Sequence, residues 1–91
     1  MTSGVYQILN TENGKCYVGS SKKIEDRWGQ HRAMLSKGTH HNQKLRNSVG
    51  KHGMGVFEFV ILEECPQELN MERELHWITS LDSVAKGYNT R

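Results

Sequence analysis

Proline occurs once and cysteine twice in these 91 residues, and no apolar run approaches the roughly 20 residues that span a bilayer. The two cysteines, Cys16 and Cys65, are far apart and form no CxxC pair, so thiol-redox and zinc-knuckle motifs are absent. A small secreted domain would carry more of them, and free thiols in a reducing compartment are expected. The amino terminus has no basic stretch followed by an apolar one, so no signal peptide is expected. A soluble, cytoplasmic protein is the default. GxSxG, P-loop, GxGxxG and HxxxH patterns are also missing. Serine hydrolysis, mononucleotide or dinucleotide binding, and a zinc site on the adjacent His40 and His41 are therefore not expected.

What remains is a short chain of 35% hydrophobic and 8% aromatic residues, enough to fold as one thin-cored domain over 1–91. Its charge is unevenly placed. The formal net charge is only +2, yet Lys22–Lys51 holds eight basic residues against Glu25 and Asp26, a net of +6. Glu58–Asp82 holds seven acids against Arg73, a net of −6. Segregation of this kind makes a basic face that can hold phosphates, although an ordinary solvated surface gives the same pattern.

Val5–Leu9 and Lys15–Ser20 are short, β-branched and aromatic, and Asn13-Gly14 between them is a strong hairpin signal. Lys23–Lys37 reads as a helix anchored by Ile24, Trp28 and Leu35, with Gly38 as its stop. His41–Lys51 reads as a second helix, with Leu45 and Val49 four apart. Val56–Leu62 alternates and then runs apolar, as a central third strand would. Pro66 is expected to open a last helix whose Met71, Leu75 and Ile78 share one face. The expected class is α/β in the α+β sense: a three-stranded sheet flanked by helices in the order β-β-α-α-β-α. Leu9, Ile61 and Leu62 are expected in or near its core.

The hairpin brings the strands of Tyr6 and Tyr17 together, although tyrosine is common in strands for packing alone. Arg27 and His31 are four apart on a helix and point the same way. A guanidinium suits a phosphate and a histidine can relay a proton; a solvated helix face explains the pair equally well. Glu74 is placed beside Met71 and Ile78, at the edge of the expected apolar stripe, while Glu68 and Glu72 lie further round. A carboxylate so placed needs a partner, either Mg²⁺ or an ion pair.

Gly4-Val5-Tyr6 followed by Tyr17-Val18-Gly19 in two paired strands resembles the signature of the GIY-YIG nucleases, with valines for the isoleucines of the family name. The ordered set continues with Arg27, His31, His40, Glu74 and Asn89, so the resemblance covers essentially the whole chain. Segments such as Tyr17-Val-Gly-Ser20, Lys51-His-Gly53, Glu72-Arg-Glu74 and Gly87-Tyr-Asn89 look most like phage homing enzymes of that family.

The resemblance implies an antiparallel sheet and metal-dependent hydrolysis of phosphodiester bonds in double-stranded DNA. It implies that Glu74 binds Mg²⁺ or Mn²⁺, that Arg27 stabilises transition-state charge, and that a tyrosine, Tyr6 before Tyr17, is the general base. Tyr17, His31 and His40 would orient water and phosphate, and Asn89 would support the site. Lys22, Lys23, Arg27, Arg32, Lys44 and Arg46 are the expected phosphate contacts. A monomer is expected, working with a separate DNA-binding domain or partner. A non-catalytic DNA-binding module of the same fold, or a restriction or repair nuclease subunit, is the alternative.

Overall fold

The computed structural model describes residues 1–90. Strands β1 (Gly4–Asn10) and β2 (Cys16–Ser21) form the hairpin. Helices α1 (Ile24–Lys37) and α2 (Gln43–His52) follow, then strand β3 (Phe57–Glu64), helix α3 (Asn70–Leu81) and a short α4 (Ser83–Lys86). The sheet is antiparallel throughout and its order is β2-β1-β3. The expected class and the order β-β-α-α-β-α are those observed, with α4 and two 3₁₀ turns (Met54–Val56, Gln67–Leu69) added.

β1, not β3, is the central strand. Its run Gly4-Val5-Tyr6 is buried on both faces, whereas β3 carries the exposed Glu58 and Ile61. The apolar run Val60–Leu62 suggests the reverse, but both faces of an edge strand can be partly covered without the strand being central. Leu9 and Leu62 do pack beside the core; Ile61 is 37% exposed and does not belong to it.

The two faces of the sheet are covered differently. Tyr6 and Ile8 of β1 face α1, α2 and Tyr88, forming a core with Ile24, Leu35, Leu45 and Val49. Fully buried side chains such as Ile8 and Leu45 each contribute about 1.5–3 kcal/mol relative to exposure. Val5, Cys16 and Val18 face the other way, against Trp77 and Ile78 of α3.

α1 ends as expected: Gly38 sits in the left-handed region (φ +71°) and donates its N–H back to Leu35. α2 starts two residues later than expected, because Asn42 caps it through Oδ1, accepting from the Leu45 N–H at 2.9 Å.

α3 also differs. Pro66 leads into the 3₁₀ turn, and the α-helix starts at Asn70. Met71 and Leu75 point outward, at 85% and 50% exposure. The inward stripe is Asn70, Arg73, Glu74, Trp77 and Ile78, which keeps helical spacing but is largely polar. It is secured by Glu63 of β3, whose carboxylate accepts from Arg73 Nε and Trp77 Nε1, both at 2.9 Å. Glu74 therefore lies within the inward stripe, not at its edge. Among the described residues no helix is long and apolar enough to cross a membrane.

Candidate active site

The site forms around the free edge of β2. Tyr17 and Gly19 face α1, while Ser20, next along the strand, points to the opposite face. There its Oγ donates to Glu74 Oε1 at 2.6 Å. The second carboxylate oxygen of Glu74 has no protein partner among the described residues.

Tyr6 belongs to the central strand, and Gly19 lets it reach this edge. The two residues are cross-strand partners. A Cβ on residue 19 would lie 2.6 Å from the Tyr6 hydroxyl and 2.7 Å from its Cζ. The phenol lies across the space that any other side chain would fill. Tyr17 pairs with Ile8 instead, so the two tyrosines are diagonal neighbours on one face.

Behind Tyr6 runs a chain of buried hydrogen bonds. His31 Nε2 is 2.7 Å from the Tyr6 hydroxyl, and His31 Nδ1 is 2.6 Å from His40 Nε2. The Asn42 backbone N–H donates to His40 Nδ1 at 3.1 Å. That amide can only donate, so it settles every proton before it. His40 Nδ1 must accept, which leaves the proton on Nε2, facing His31 Nδ1. His31 Nδ1 must then accept, and its Nε2–H donates to the Tyr6 oxygen. The tautomers follow if both rings are neutral, and they are. Burial, then the neighbouring charges of His40, Arg27 and His41, pulls His31 down to about 3. Burial, then His41, Arg27 and Arg46, pulls His40 down to about 4.

This neutrality has a measurable consequence. Unfolded histidines titrate near 6.5, whereas these two stay neutral in the folded chain until about pH 4 and 3. Between pH 6.5 and 4.5 the unfolded state therefore binds more protons, and stability falls as pH falls. Urea unfolding across that window should show a slope close to two protons, about 2.7 kcal/mol per pH unit at its steepest. His40→Gln should bring the slope close to one proton. An unchanged slope in that variant would show that His40 is charged in the fold.

Burial, then Tyr17 and Glu74, raises the Tyr6 phenol well above its usual value, and Arg27 opposes the rise. Burial and Glu74 raise Tyr17, and Arg27 again opposes. The charges of Glu74 and Arg27 thus act on both phenols with opposite sign. Arg27 itself is exposed, and among the described residues its guanidinium donates to Gln30 Oε1 at 3.2 Å, which leaves most of its donors free.

Asn89 stands back from the pocket. Its Oδ1 accepts from Val18 N–H at 2.7 Å and its Nδ2 donates to Val18 O at 2.9 Å. The side-chain amide replaces the strand that β2 lacks on its free side, and the Tyr88 N–H extends the same edge to Cys16 O.

The expected phosphate contacts are scattered. Lys22 and Lys23 are exposed in the turn before α1. Arg46 is half-buried and close enough to act on His40. Arg32 lies over the Phe59 ring at 4.4 Å, and Lys44 lines a groove on α2. Ser20 and Asn42 join the site without having been expected there. An asparagine before a helix is the available sequence signal for Asn42; for Ser20 there is only its place after Gly19.

Among the described residues no three of His, Cys, Asp and Glu cluster as a metal cage. An ion at Glu74 would therefore have at most one further ligand of these types from the described residues. That fits Mg²⁺, which keeps several waters and takes one or two carboxylates together with substrate phosphate oxygens.

Comparison with known proteins points the same way. Intron-associated endonuclease 1 of Enterobacteria phage T4 is 54% identical over 91 residues, covering 98% of this chain and 37% of that protein. The chain thus corresponds to well under half the length of that relative. The solved catalytic domain of homing endonuclease I-TevI superposes with a TM-score of 0.93 at 50% identity, covering 98% of both chains. A mutant form of the catalytic domain of intron endonuclease I-TevI gives 0.91 at 52% identity, covering 98% of this chain and 93% of that one. The model of the GIY-YIG catalytic domain matches residues 2–89. With that match and the shared fold, the chain belongs to the GIY-YIG catalytic domain family.

Proposed function

We propose that this chain is a DNA endonuclease domain that hydrolyses phosphodiester bonds with a single divalent ion, Mg²⁺ or Mn²⁺, held by Glu74. The observation that carries this reading is that the charges of one carboxylate, Glu74, held by Ser20 on the edge strand β2, and of one guanidinium, Arg27, both act on the phenols of Tyr6 and Tyr17. The relatives' printed names, which describe intron and homing endonucleases, support it.

A bound divalent ion would polarise the scissile phosphate and screen charge on the leaving oxygen. The rest falls to the chain. Arg27, free of ion pairs among the described residues, holds the phosphate and stabilises the charge that builds on it. Tyr6 acts as its phenolate: its own proton passes first to bulk water, and the anion then takes the proton from the attacking water. A buried phenol is a poor base unless its anion is stabilised, and two groups do this: the His31 Nε2–H aimed at the oxygen, and the Arg27 charge. His40 and the Asn42 amide hold His31 in the donating tautomer. Tyr17, whose hydroxyl has no protein partner among the described residues, orients water or phosphate. Asn89 keeps β2 straight, and Ser20 holds the Glu74 carboxylate toward the edge.

Lys22, Lys23 and Arg46 would add phosphate contacts, while Arg32 is engaged with Phe59. With few contacts, duplex binding should be weak and sensitive to salt. Selection of a target site would then belong to a separate domain or partner.

The decisive assay is nicking of supercoiled plasmid. Cutting is expected with Mg²⁺ or Mn²⁺ and should disappear in EDTA, returning when the metal is restored. Cutting that persists in EDTA would defeat the metal-dependent reading.

A further inference from the structure

We propose that a second phosphate-binding groove, between the β1–β2 turn, α2 and α4, holds the backbone of a DNA duplex away from the point of cleavage. The proposal rests on the nuclease reading above and deepens it. The groove encloses about 450 Å³. Lys15 enters from the turn, Lys44 and Lys51 from α2, and Lys86 from α4, and no carboxylate lines it. None of the four ammonium groups has an ion-pair partner among the described residues; the Glu12 carboxylate bonds instead to His52 at 3.0 Å.

The lining holds a second indication. Ser48 and Tyr88 both line the groove, and their hydroxyls bond to each other. The Asn10 side-chain amide donates to both, at 3.3 and 3.2 Å. Two hydroxyl protons are present and the mutual bond uses one. The other has no acceptor among the described residues. A groove rich in cations with a spare O–H donor suits a ligand that is anionic and rich in acceptors.

The shape favours a polymer over a lone phosphate. Four flexible lysines drawn from three elements do not make a tight cradle, but they match a row of backbone phosphates. Position agrees. Asn10, beside the groove, is four residues along β1 from Tyr6, roughly 13 Å at ~3.3 Å per residue. That distance is about four base-pair rises of ~3.4 Å, so one duplex can reach both places.

The test is a salt titration of binding to a fluorescein-labelled DNA duplex in EDTA. The variant carries Lys15→Gln, Lys44→Gln, Lys51→Gln and Lys86→Gln together, with Lys37→Gln as an exposed control. The expected result is a slope of log Kd against log salt that is smaller by about 3, and binding at least about tenfold weaker at 0.1 M salt. Lys37→Gln should leave the slope unchanged. Single groove substitutions that shift the slope no more than Lys37→Gln, or a fourfold variant that binds like the unaltered chain, would overturn the groove. Either outcome leaves the active-site reading standing, since cutting is scored separately on plasmid. Failure of the unaltered chain to bind the duplex at all would sink both.

Discussion

Glu74→Gln is expected to cut plasmid about a thousandfold more slowly than the unaltered chain, or not at all, while unfolding at nearly the same temperature. The two halves of this result have separate causes. Glu74 Oε1 accepts the Ser20 hydroxyl at 2.6 Å, and an amide oxygen in the same place keeps that bond. Packing changes little because the two side chains have almost the same volume. The substitution removes only the negative charge, and that charge is what would bind the ion. Without it the leaving oxygen and the scissile phosphate lose their electrostatic partner, which accounts for a loss of this size.

Arg27→Ala gives the complementary case in the same assay. The residue is exposed and its guanidinium donates to Gln30, one turn along the same helix, so stability should change by less than about 0.5 kcal/mol. Cutting should fall about 10²–10³-fold, the range found when one group that stabilises developing charge is lost. If the two groups serve one phosphate, the double variant should be little worse than Glu74→Gln alone. Robust cutting by Glu74→Gln would remove the carboxylate from the mechanism and leave its bond to Ser20 as a purely structural contact.

Much of the fold is legible in the order of residues alone. Asn13-Gly14 between two β-branched runs announces the hairpin, and Gly38 ends α1 where it should. The pattern misleads where polar side chains are buried in pairs, because hydrophobicity belongs to single residues. Met71, Leu75 and Ile78 have the spacing of a buried stripe, but the face of α3 that meets the sheet carries Asn70, Arg73 and Glu74. Those polar groups can turn inward because they are matched. Arg73 and Trp77 share the Glu63 carboxylate, and Ser20 meets Glu74. Such pairs form between residues ten or more positions apart and leave no periodic trace. The misplaced central strand has a similar origin, since Val60–Leu62 is apolar on an edge whose two faces are only partly covered.

The candidate site is legible as a set of residue types and not as an arrangement. Family resemblance draws Tyr6, Tyr17, Arg27, His31, His40, Glu74 and Asn89 together, but spacing cannot say that Asn89 binds backbone while Arg27 faces open solvent. Nor can it show the Asn42 amide, which carries no side-chain signature for its part in ordering the histidines. A backbone donor is invisible in composition, yet here one N–H sets the direction of three hydrogen bonds.

Gly19→Ala should do more damage to catalysis than to folding, although it adds one methyl group. The new Cβ would sit 2.6 Å from the Tyr6 hydroxyl, well inside contact distance. The ring cannot simply swing aside, because Tyr6 is 1% exposed and its oxygen is tied to His31 at 2.7 Å. The phenol must retreat by most of an ångström and give up that bond. Overpacking of this kind costs about 1–3 kcal/mol of stability. A displacement of about 1 Å at a reacting group costs about 10²-fold in rate, so kcat should fall by at least that much. Gly29→Ala is the control: it lies exposed on α1 with open space where its Cβ would go, and should cut normally with stability unchanged or raised by up to about 1 kcal/mol. The double variant Gly19→Ala/Tyr6→Phe separates the two effects. Loss of the hydroxyl removes the closest contact and should return part of the stability, but it leaves no oxygen to take a proton, so activity should stay lost. Recovery of cutting in that double variant would show that Tyr6 fills space at the edge of β2 and moves no proton there.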